Sequence, residues 1–193
     1  MPKHRYYNLK WNIIFLLVAA IFIVLDQISK TWVQTHMVPG QSVPETGFFR
    51  IVYAQNTGAA FSIFYGKTAI LTYVSMLGTL LILAYNFLLV RHFPDLQTPW
   101  NKVALGLILA GTVGNLIDRF TLHYVRDFIS VGPWPVFNVA DSSIVIGVIM
   151  FAITLLLQYR KVPTSGSFPS QGNCLLLFPS RSQIVPLRYS YPP

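Results

Sequence analysis

Four long apolar stretches limit what this chain can fold into more than any other feature of the sequence. They contain no Lys, Arg, Asp or Glu, and they cover residues 11–25, 68–90, 103–117 and 142–159. With a few flanking residues, each stretch approaches the roughly 20 residues that a helix needs to cross a bilayer. Only 10% of the residues are charged, against about a quarter in soluble domains. The sequence therefore predicts an all-α integral membrane protein with four transmembrane helices.

The predicted helices cover approximately residues 11–28, 68–90, 102–120 and 140–160, and they form one membrane domain over residues 1–161. Asp26 and Asp118 are interpreted as lying at helix ends. Basic residues precede the first helix, separate the second from the third and follow the fourth: Lys3, Arg5, Lys10, Arg91, Lys102, Arg160 and Lys161. By the positive-inside rule, both termini are predicted to be cytoplasmic.

Two segments between the predicted helices are then external. The first, about residues 27–67, contains FRIVY, which is strand-like, and GAAFSIF, which suits a short helix at the membrane interface. The second, residues 118–141, contains the strand-like HYVRDFISV. Together they predict a small extracytoplasmic β-like platform with an interfacial helix. Residues 162–193 are rich in Pro and Ser without periodicity, which predicts a disordered cytoplasmic tail.

Several classes of function find no support in the composition. The net charge is +8, but the basic residues are spread among short loops and form no nucleic-acid-binding pattern. Cys174 is the single cysteine, so no intramolecular disulfide is predicted. The four His residues are scattered without an i, i+4 pair, so neither a metal site nor a cofactor is expected.

The acidic residues are distributed unevenly. Of six, only Glu45 and Asp95 lie in ordinary loops, and the others fall at or beside the external helix ends: Asp26, Asp118, Asp127 and Asp141. Polar partners occur in the same regions: Lys30, Asn56, Asn115, Arg119, Arg126 and Asn138. Ionisable groups at the edge of a membrane indicate a functional site by default.

A structural role is the alternative for each acid taken singly. Asp141 precedes a long apolar run and suits the N-terminus of a helix, and Asp118 could form a surface ion pair with Arg119. Asp127 fits a structural role least, because an acid within strand-like sequence has no helix to cap.

Two carboxylates at a membrane surface can catalyse peptide hydrolysis without a metal ion or a nucleophile triad. An aspartyl dyad hydrolyses peptides because one ionised Asp takes a proton from water while its protonated partner polarises the scissile carbonyl. Two like charges at close range share one proton. A helix N-terminus favours the ionised form of Asp141, so Asp127 is the expected proton carrier. The neighbouring positive charge of Arg126 could oppose protonation of Asp127.

Five blocks of sequence resemble the signature blocks of the bacterial lipoprotein signal peptidases, the type II signal peptidases: DQISK, NTGAAFS, GNLIDR, VRDF and FNVADSSI. They occur in the order of that family and at its positions relative to the four helices. The resemblance implies a monomeric aspartyl endopeptidase of the inner membrane, without cofactor. Such an enzyme has its site at the extracytoplasmic face and cuts prolipoproteins immediately before a diacylglyceryl-modified cysteine.

The resemblance also implies roles for single residues. It makes Asp127 and Asp141 the catalytic dyad. Residues expected to bind the substrate or the peptide antibiotic globomycin are Asn56, Asn115, Arg119 and Asn138. Supporting positions are Asp26, Lys30, Gly58 and Asp118. The segment between the two dyad acids is shorter than in the family, and the tail has no counterpart there.

Two other functions remain open from the residues alone. Acids at helix ends could hold Mg²⁺ against a lipid diphosphate, although no DDxxD motif is present. Alternatively, the polar residues could form a transporter or proton pathway, although the apolar stretches carry few of them.

If the chain is a peptidase, residues 49–64 of the first external segment are expected to clamp the substrate.

Overall fold

The computed structural model describes residues 9–58, 68–89 and 97–159. The elements follow the order α1 (Leu9–His36), β1 (Ser42–Val43), β2 (Phe49–Asn56), α2 (Thr68–Phe87), α3 (Pro99–Thr121), β3 (Val125–Val131) and α4 (Val139–Tyr159). Within the described ranges, four helices are long and apolar enough to cross a membrane. The predicted tail, and all of the predicted interfacial helix except Gly58, lie outside the described residues.

Helix α1 continues to His36, well beyond the end predicted near residue 28. Asp26 is therefore inside the helix and not at its end. The ammonium of Lys30, one turn later, lies 2.8 Å from the Asp26 carboxylate, and both side chains are fully buried. Because the two opposite charges neutralise each other, both side chains can be buried and the helix can continue past them. Its last turns instead pack Val33 against the sheet residue Tyr53.

Helix α3 is the centre of the bundle. More than half of its most apolar segment is buried inside the protein, whereas none of the corresponding segment of α2 is. Small residues allow α4 to approach α3 closely. A Cβ atom at Gly147 would lie 2.7 Å from the Ala104 carbonyl oxygen, and one at Gly111 would collide with Ala140. The first turn of α4 is thus held directly against α3.

The three strands form an antiparallel sheet in the order β1-β2-β3 at one end of the bundle, which we call the sheet end. The register pairs Ala54 with Asp127. After β3 the chain turns at Gly132, which has a positive φ of 51°, and returns so that Phe137 pairs with Ile129. This tight return leads directly into α4, which explains how a short segment joins the two acid-bearing elements.

A second buried polar group, the opposite-end cluster, lies at the other end of the helices and comprises Asn12, Asn86, Asn101, Lys102 and Thr154. Lys102, which was counted among the basic residues between the second and third helices, lies in the first turns of α3 and is 2% exposed. Its ammonium donates to the side-chain oxygens of Asn12 at 3.1 Å and Asn86 at 2.6 Å. Thr154 donates to Asn101. Since Lys102 is buried, it does not count as a loop charge in the positive-inside argument.

Candidate active site

Asp127 is the third residue of β3 and is 2% exposed. Two amide groups donate to its carboxylate: Asn56 Nδ2 to Oδ2 at 2.9 Å and Asn138 Nδ2 to Oδ1 at 2.7 Å. The backbone N–H of Gly58 donates to Asn56 Oδ1 at 3.0 Å. That contact fixes the Asn56 amide with its donor side toward Asp127.

Asp141 is the third residue of α4, and it forms a reciprocal cap with Asn138. The Asp141 N–H donates to Asn138 Oδ1 at 2.8 Å, while the Asn138 N–H donates to Asp141 Oδ2 at 3.2 Å. This is the geometry of a capping box. The helix-cap interpretation of Asp141 is therefore correct. Its other oxygen, Oδ1, accepts from Asn115 Nδ2 at 2.8 Å, so capping does not remove the carboxylate from its surroundings.

Both carboxylates line one cavity of about 300 Å³. The polar part of the wall adds Asn56, Asn115 and Arg119. The apolar part comes from the segment before α4 and from the first turns of α4, with Trp134, Pro135, Val136, Phe137, Ile144 and Val145. A cavity of this size, with few polar groups in an apolar wall, is typical of a ligand site.

The surroundings of Asp127 give its carboxyl a higher pKa than that of an ordinary aspartate. Burial, followed by the negative charge of Asp141, raises the pKa of Asp127 from 3.8 to about 7. The hydrogen bonds from Asn56 and Asn138 oppose this rise, because they stabilise the ionised form. The protonated form of Asp127 is therefore well populated near neutral pH.

Arg119 reaches the cavity from α3, and its Nη1 donates to Ser75 Oγ of α2 at 3.1 Å. The ion pair considered between Asp118 and Arg119 is not formed. Consecutive residues of a helix point about 100° apart, so the two side chains meet different neighbours. Asp118 instead pairs with Arg126 Nη2 at 2.7 Å.

The Asp118–Arg126 pair fixes β3 against the bundle. Asp118 Oδ2 accepts from the Arg126 N–H at 2.9 Å and from its Nε at 3.1 Å. The guanidinium also donates to Gln27 and Gln34 of α1. Since alternate residues of a strand face opposite sides, Arg126 points away from the face that carries Asp127. It does not oppose protonation of Asp127, as the sequence left open.

Asp26 connects α1 with the start of α4. Its Oδ1 accepts from the Ala140 N–H at 2.9 Å, while Oδ2 contacts Lys30. A Cβ atom at position 114 would lie 2.6 Å from Asp26 Oδ2. Gly114 is therefore required for this approach.

The structure brings most of the predicted site residues together. Five line the cavity: Asp127, Asp141, Asn56, Asn115 and Arg119. Asn138, expected to bind substrate, is fully buried and lies behind the two carboxylates, where it donates to Asp127 and caps α4. The four supporting positions contact these residues or the network behind them.

Sequence reasoning missed the partners that complete this arrangement. Gln27, Gln34 and Ser75 make contacts described above, and Trp134–Val136 form cavity wall. The one available signal was the position of Gln27 within the DQISK block. Ser75 and Gln34 lie in ordinary helical sequence, which gives no sign of their contacts.

The chain is similar to known proteins over most of its length. Residues 18–157 match the family described as signal peptidase (SPase) II. A lipoprotein signal peptidase of Dehalococcoides mccartyi (strain ATCC BAA-2266 / KCTC 15142 / 195) is 48% identical over 161 residues, which cover 83% of this chain and 98% of that protein. The lipoprotein signal peptidase of Moorella thermoacetica is 43% identical over 144 residues, 74% of this chain and 93% of that protein.

Two solved structures have the same fold. A bacterial membrane enzyme determined by the in meso method at 2.3 Å resolution matches with a TM-score of 0.66 and 31% identity, over 81% of this chain and 93% of that one. A second, determined by the same method at 1.9 Å resolution, matches with a TM-score of 0.64 and 33% identity, over 74% of this chain and 92% of that one. Taken with the extent of the sequence matches, these likenesses show that the chain is a multi-pass membrane protease of the signal peptidase II family.

Proposed function

We propose that the protein is an aspartic endopeptidase that removes signal peptides from diacylglyceryl-modified prolipoproteins, cutting immediately before the lipidated cysteine. The observation that carries this proposal is the shared cavity of Asp127 and Asp141, in which the pKa of Asp127 is raised to about 7. One carboxyl is then protonated while its partner sits at a helix N-terminus, where the ionised form is favoured. This is the arrangement that a one-proton dyad requires.

In the proposed reaction, ionised Asp141 takes a proton from a water molecule whose oxygen attacks the scissile carbonyl carbon. Protonated Asp127 donates its proton to the carbonyl oxygen. When the tetrahedral intermediate collapses, the C–N bond breaks, Asp141 gives its proton to the leaving amine, and the hydroxyl proton returns to Asp127. The dyad thereby regains its starting state. General acid–base catalysis of this kind contributes about 10²–10⁴-fold.

The cavity wall suits an extended peptide. The amides of Asn56 and Asn115 and the guanidinium of Arg119 can pair with a backbone that has no water to pair with. Asn138 positions the dyad from behind. Ile144, Val145 and Trp134 provide the apolar side of the wall, toward which we place the lipid-bearing part of the substrate.

The proposed setting is the bacterial inner membrane, with both termini cytoplasmic and the sheet end at the extracytoplasmic face. Lys10, at the start of α1 and away from the sheet, supports this orientation. The three strands then form the predicted platform. The substrate enters sideways with its acyl chains in the bilayer, the enzyme acts as a monomer, and globomycin occupies the same cavity.

The test is cleavage of a diacylglyceryl-modified prolipoprotein by purified wild type, Asp127→Asn and Asp141→Asn, each with EDTA. Both variants are expected to lose about 10²–10⁴-fold in kcat, and globomycin should stop the wild type. Glu45→Gln is the matched control, because it also changes an acid to its amide but at an exposed position. If both dyad variants cut at the wild-type rate, the proposed mechanism is wrong.

The same experiment separates the two rival functions. Among the residues that the structure describes, no group of three or more His, Cys, Asp or Glu could hold a metal ion. Loss of wild-type cleavage in EDTA would nevertheless favour metal-dependent chemistry. Full proteolysis by Asp127→Asn would favour a transport role for the buried acids.

A further inference from the structure

Lys30 has more contacts than the neutralisation of one carboxylate requires. Its ammonium lies 2.8 Å from Asp26 Oδ2 and 3.5 Å from Asp118 Oδ2. It also donates to Asn115 Oδ1 at 3.0 Å. All of this occurs with the Lys30 side chain fully buried. The lysine therefore joins the charged network behind the site to a residue that lines the cavity.

The contact with Asn115 determines which way the amide faces. An ammonium is a donor only, so it can face the Asn115 oxygen but not the Asn115 nitrogen. With Oδ1 held by Lys30 at 3.0 Å and by Asn138 Nδ2 at 3.1 Å, Nδ2 points the other way, to Asp141 Oδ1 at 2.8 Å. A flipped amide would place two pairs of donors against each other and leave Asp141 facing an oxygen.

We propose that Lys30 is a positioning residue of the dyad: acting through Asn115, it keeps Asp141 the ionised member and leaves the shared proton on Asp127. The proposal rests on the aspartic mechanism above and deepens it. The ammonium polarises the amide, and the polarised N–H binds an ionised carboxylate more strongly than a protonated one.

Charged residues on four elements, α1, α3, β3 and α4, surround the contacts from Lys30 through Asn115 to Asp141. Asp127 on β3 faces Asp141 of α4, Arg119 of α3 and, at longer range, Lys30 of α1. Lys30 itself contacts Asp26 and Asp118, and Arg126 covers the other side of Asp118. The Lys30 charge lowers the pKa of Asp127, whereas the Asp141 charge raises it. Removal of the ammonium is thus expected to disfavour the ionised form of Asp127.

The experiment must separate positioning from charge balance. Lys30→Met removes the ammonium but also leaves two buried carboxylates without it. The double variant Asp26→Asn/Lys30→Met removes one positive and one negative charge together, and the amide introduced at position 26 keeps an oxygen for the Ala140 N–H. Asp26→Asn alone is the control that retains Lys30 and its contact with Asn115.

The readout is the infrared titration of the dyad carboxyls in detergent, assigned with Asp127→Asn and Asp141→Asn. We expect both titration steps to rise by about one pH unit in Lys30→Met and in the double variant. They should stay at their wild-type positions in Asp26→Asn. In the cleavage assay, kcat of the double variant should fall about 100-fold with KM unchanged, because a small misplacement of a reacting group has such an effect.

Three results would overturn the proposal. A double variant with wild-type titration steps would show that Lys30 only balances Asp26. A shift as large in Asp26→Asn would show that net charge, and not the Asn115 contact, sets the titration. A double variant that fails to fold would make Lys30 a residue of assembly. Since the titration needs no proteolysis, it stays readable even if the wild type does not cut the prolipoprotein.

Discussion

A lysine is buried at each end of the helix bundle, but the two lysines have different neighbours. At the sheet end, the Lys30 ammonium contacts the carboxylates of Asp26 and Asp118. At the other end, Lys102 contacts only the neutral amide oxygens of Asn12 and Asn86 among the residues described. Both lysines are 2% exposed or less.

The comparison shows how the free-energy cost of burying charged groups differs between the two ends of the bundle. The opposite-end cluster draws side chains from all four helices and ties them together mainly with neutral groups, which cost less to bury than ions. The sheet end buries several carboxylates close together, which is costly unless each is paired. A cavity of about 300 Å³ opens onto the charged groups there. The opposite end thus buries one ammonium among neutral amides, whereas the sheet end concentrates the carboxylates, and it is there that we place the proposed chemistry.

The largest expected effect concerns the stability cost of Asp127. Its pKa is about 7 when folded and 3.8 ordinarily, so the folded state binds the proton more tightly, and the protein loses stability as the pH rises from 3.8 to about 7. The difference corresponds to on the order of 4 kcal/mol. Asp127→Asn, which mimics the neutral carboxyl, should be more stable than wild type above about pH 7 and equal to it below about pH 4.

Unfolding in detergent between pH 4 and pH 8 measures this. Glu45→Gln is the control, since an exposed acid should show no such crossover. An Asp127→Asn protein that is no more stable than wild type at pH 8 would mean that the sheet end is not under this electrostatic strain, and the contrast with the opposite end would disappear.

The second prediction tests the opposite end. Lys102→Met leaves two buried amide oxygens unsatisfied, so unfolding should become easier by about 1–3 kcal/mol. The pH profile of cleavage should not change, because this cluster lies at the far end of the bundle from the cavity. Unfolding and a cleavage pH profile on the same preparation check both parts.

Asn12→Leu/Asn86→Leu/Lys102→Met is the matched control for that variant. Replacing all the partners by apolar groups is nearly neutral, so the triple variant should recover most of the lost stability. A shifted pH profile in Lys102→Met would contradict the assignment of chemistry to one end alone.

The third prediction compares amides at the two ends. Asn56→Ala removes a donor that lowers the pKa of Asp127, so that pKa should rise above 7. In the proposed mechanism protonated Asp127 donates to the carbonyl, so the alkaline limb of kcat/KM should move up by roughly one pH unit. Asn86→Ala at the opposite end should leave the limb in place. Gln55→Ala, an exposed neighbour of Asn56 on β2, should do the same; a shift there would implicate the strand and not the hydrogen bond.

The smallest effect is expected for a polar contact outside both clusters. The hydroxyls of Tyr53 and Tyr124 lie 3.4 Å apart, and this hydrogen bond raises the pKa of Tyr124 to about 12. Tyr124→Phe should change the free energy of unfolding by less than about 1 kcal/mol, without pH dependence below pH 10. A larger loss, measured by unfolding in detergent, would mean that the sheet end depends on neutral contacts as much as the opposite end does.

Hydropathy was enough to place the four helices, because the bilayer requires long apolar segments whatever their partners. It failed at Asp26 and Lys30. Read singly, these residues indicate a helix end, and only tertiary pairing shows why α1 continues to His36. The burial of Lys102 was missed for the same reason. Its amide partners lie on other helices, and no local pattern connects them.

The sequence named the residues of the candidate site, but it did not predict how they are arranged. Asp127 could be singled out because an acid in strand-like sequence lacks a local partner. The resemblance supplied the remaining site residues as a set, but not their arrangement: Asn138 lies behind the acids and not in the cavity wall. Its position depends on the return of the chain after Gly132 and on the reciprocal cap with Asp141, neither of which sequence spacing fixes.

The hydrogen bond from the Ala140 N–H to Asp26 joins the first helix to the last, so it can form only after the whole bundle has been synthesised. The ribosome delivers α1 first and α4 last, so Asp26 and Lys30 enter the membrane as a pair long before their partner on α4 has been synthesised. Until the final helix inserts, Asp141 and its cap are absent and the cavity has no second carboxylate. The cavity is thus complete only after all four helices have been synthesised, and the proposed pair of carboxylates does not exist in any shorter nascent chain.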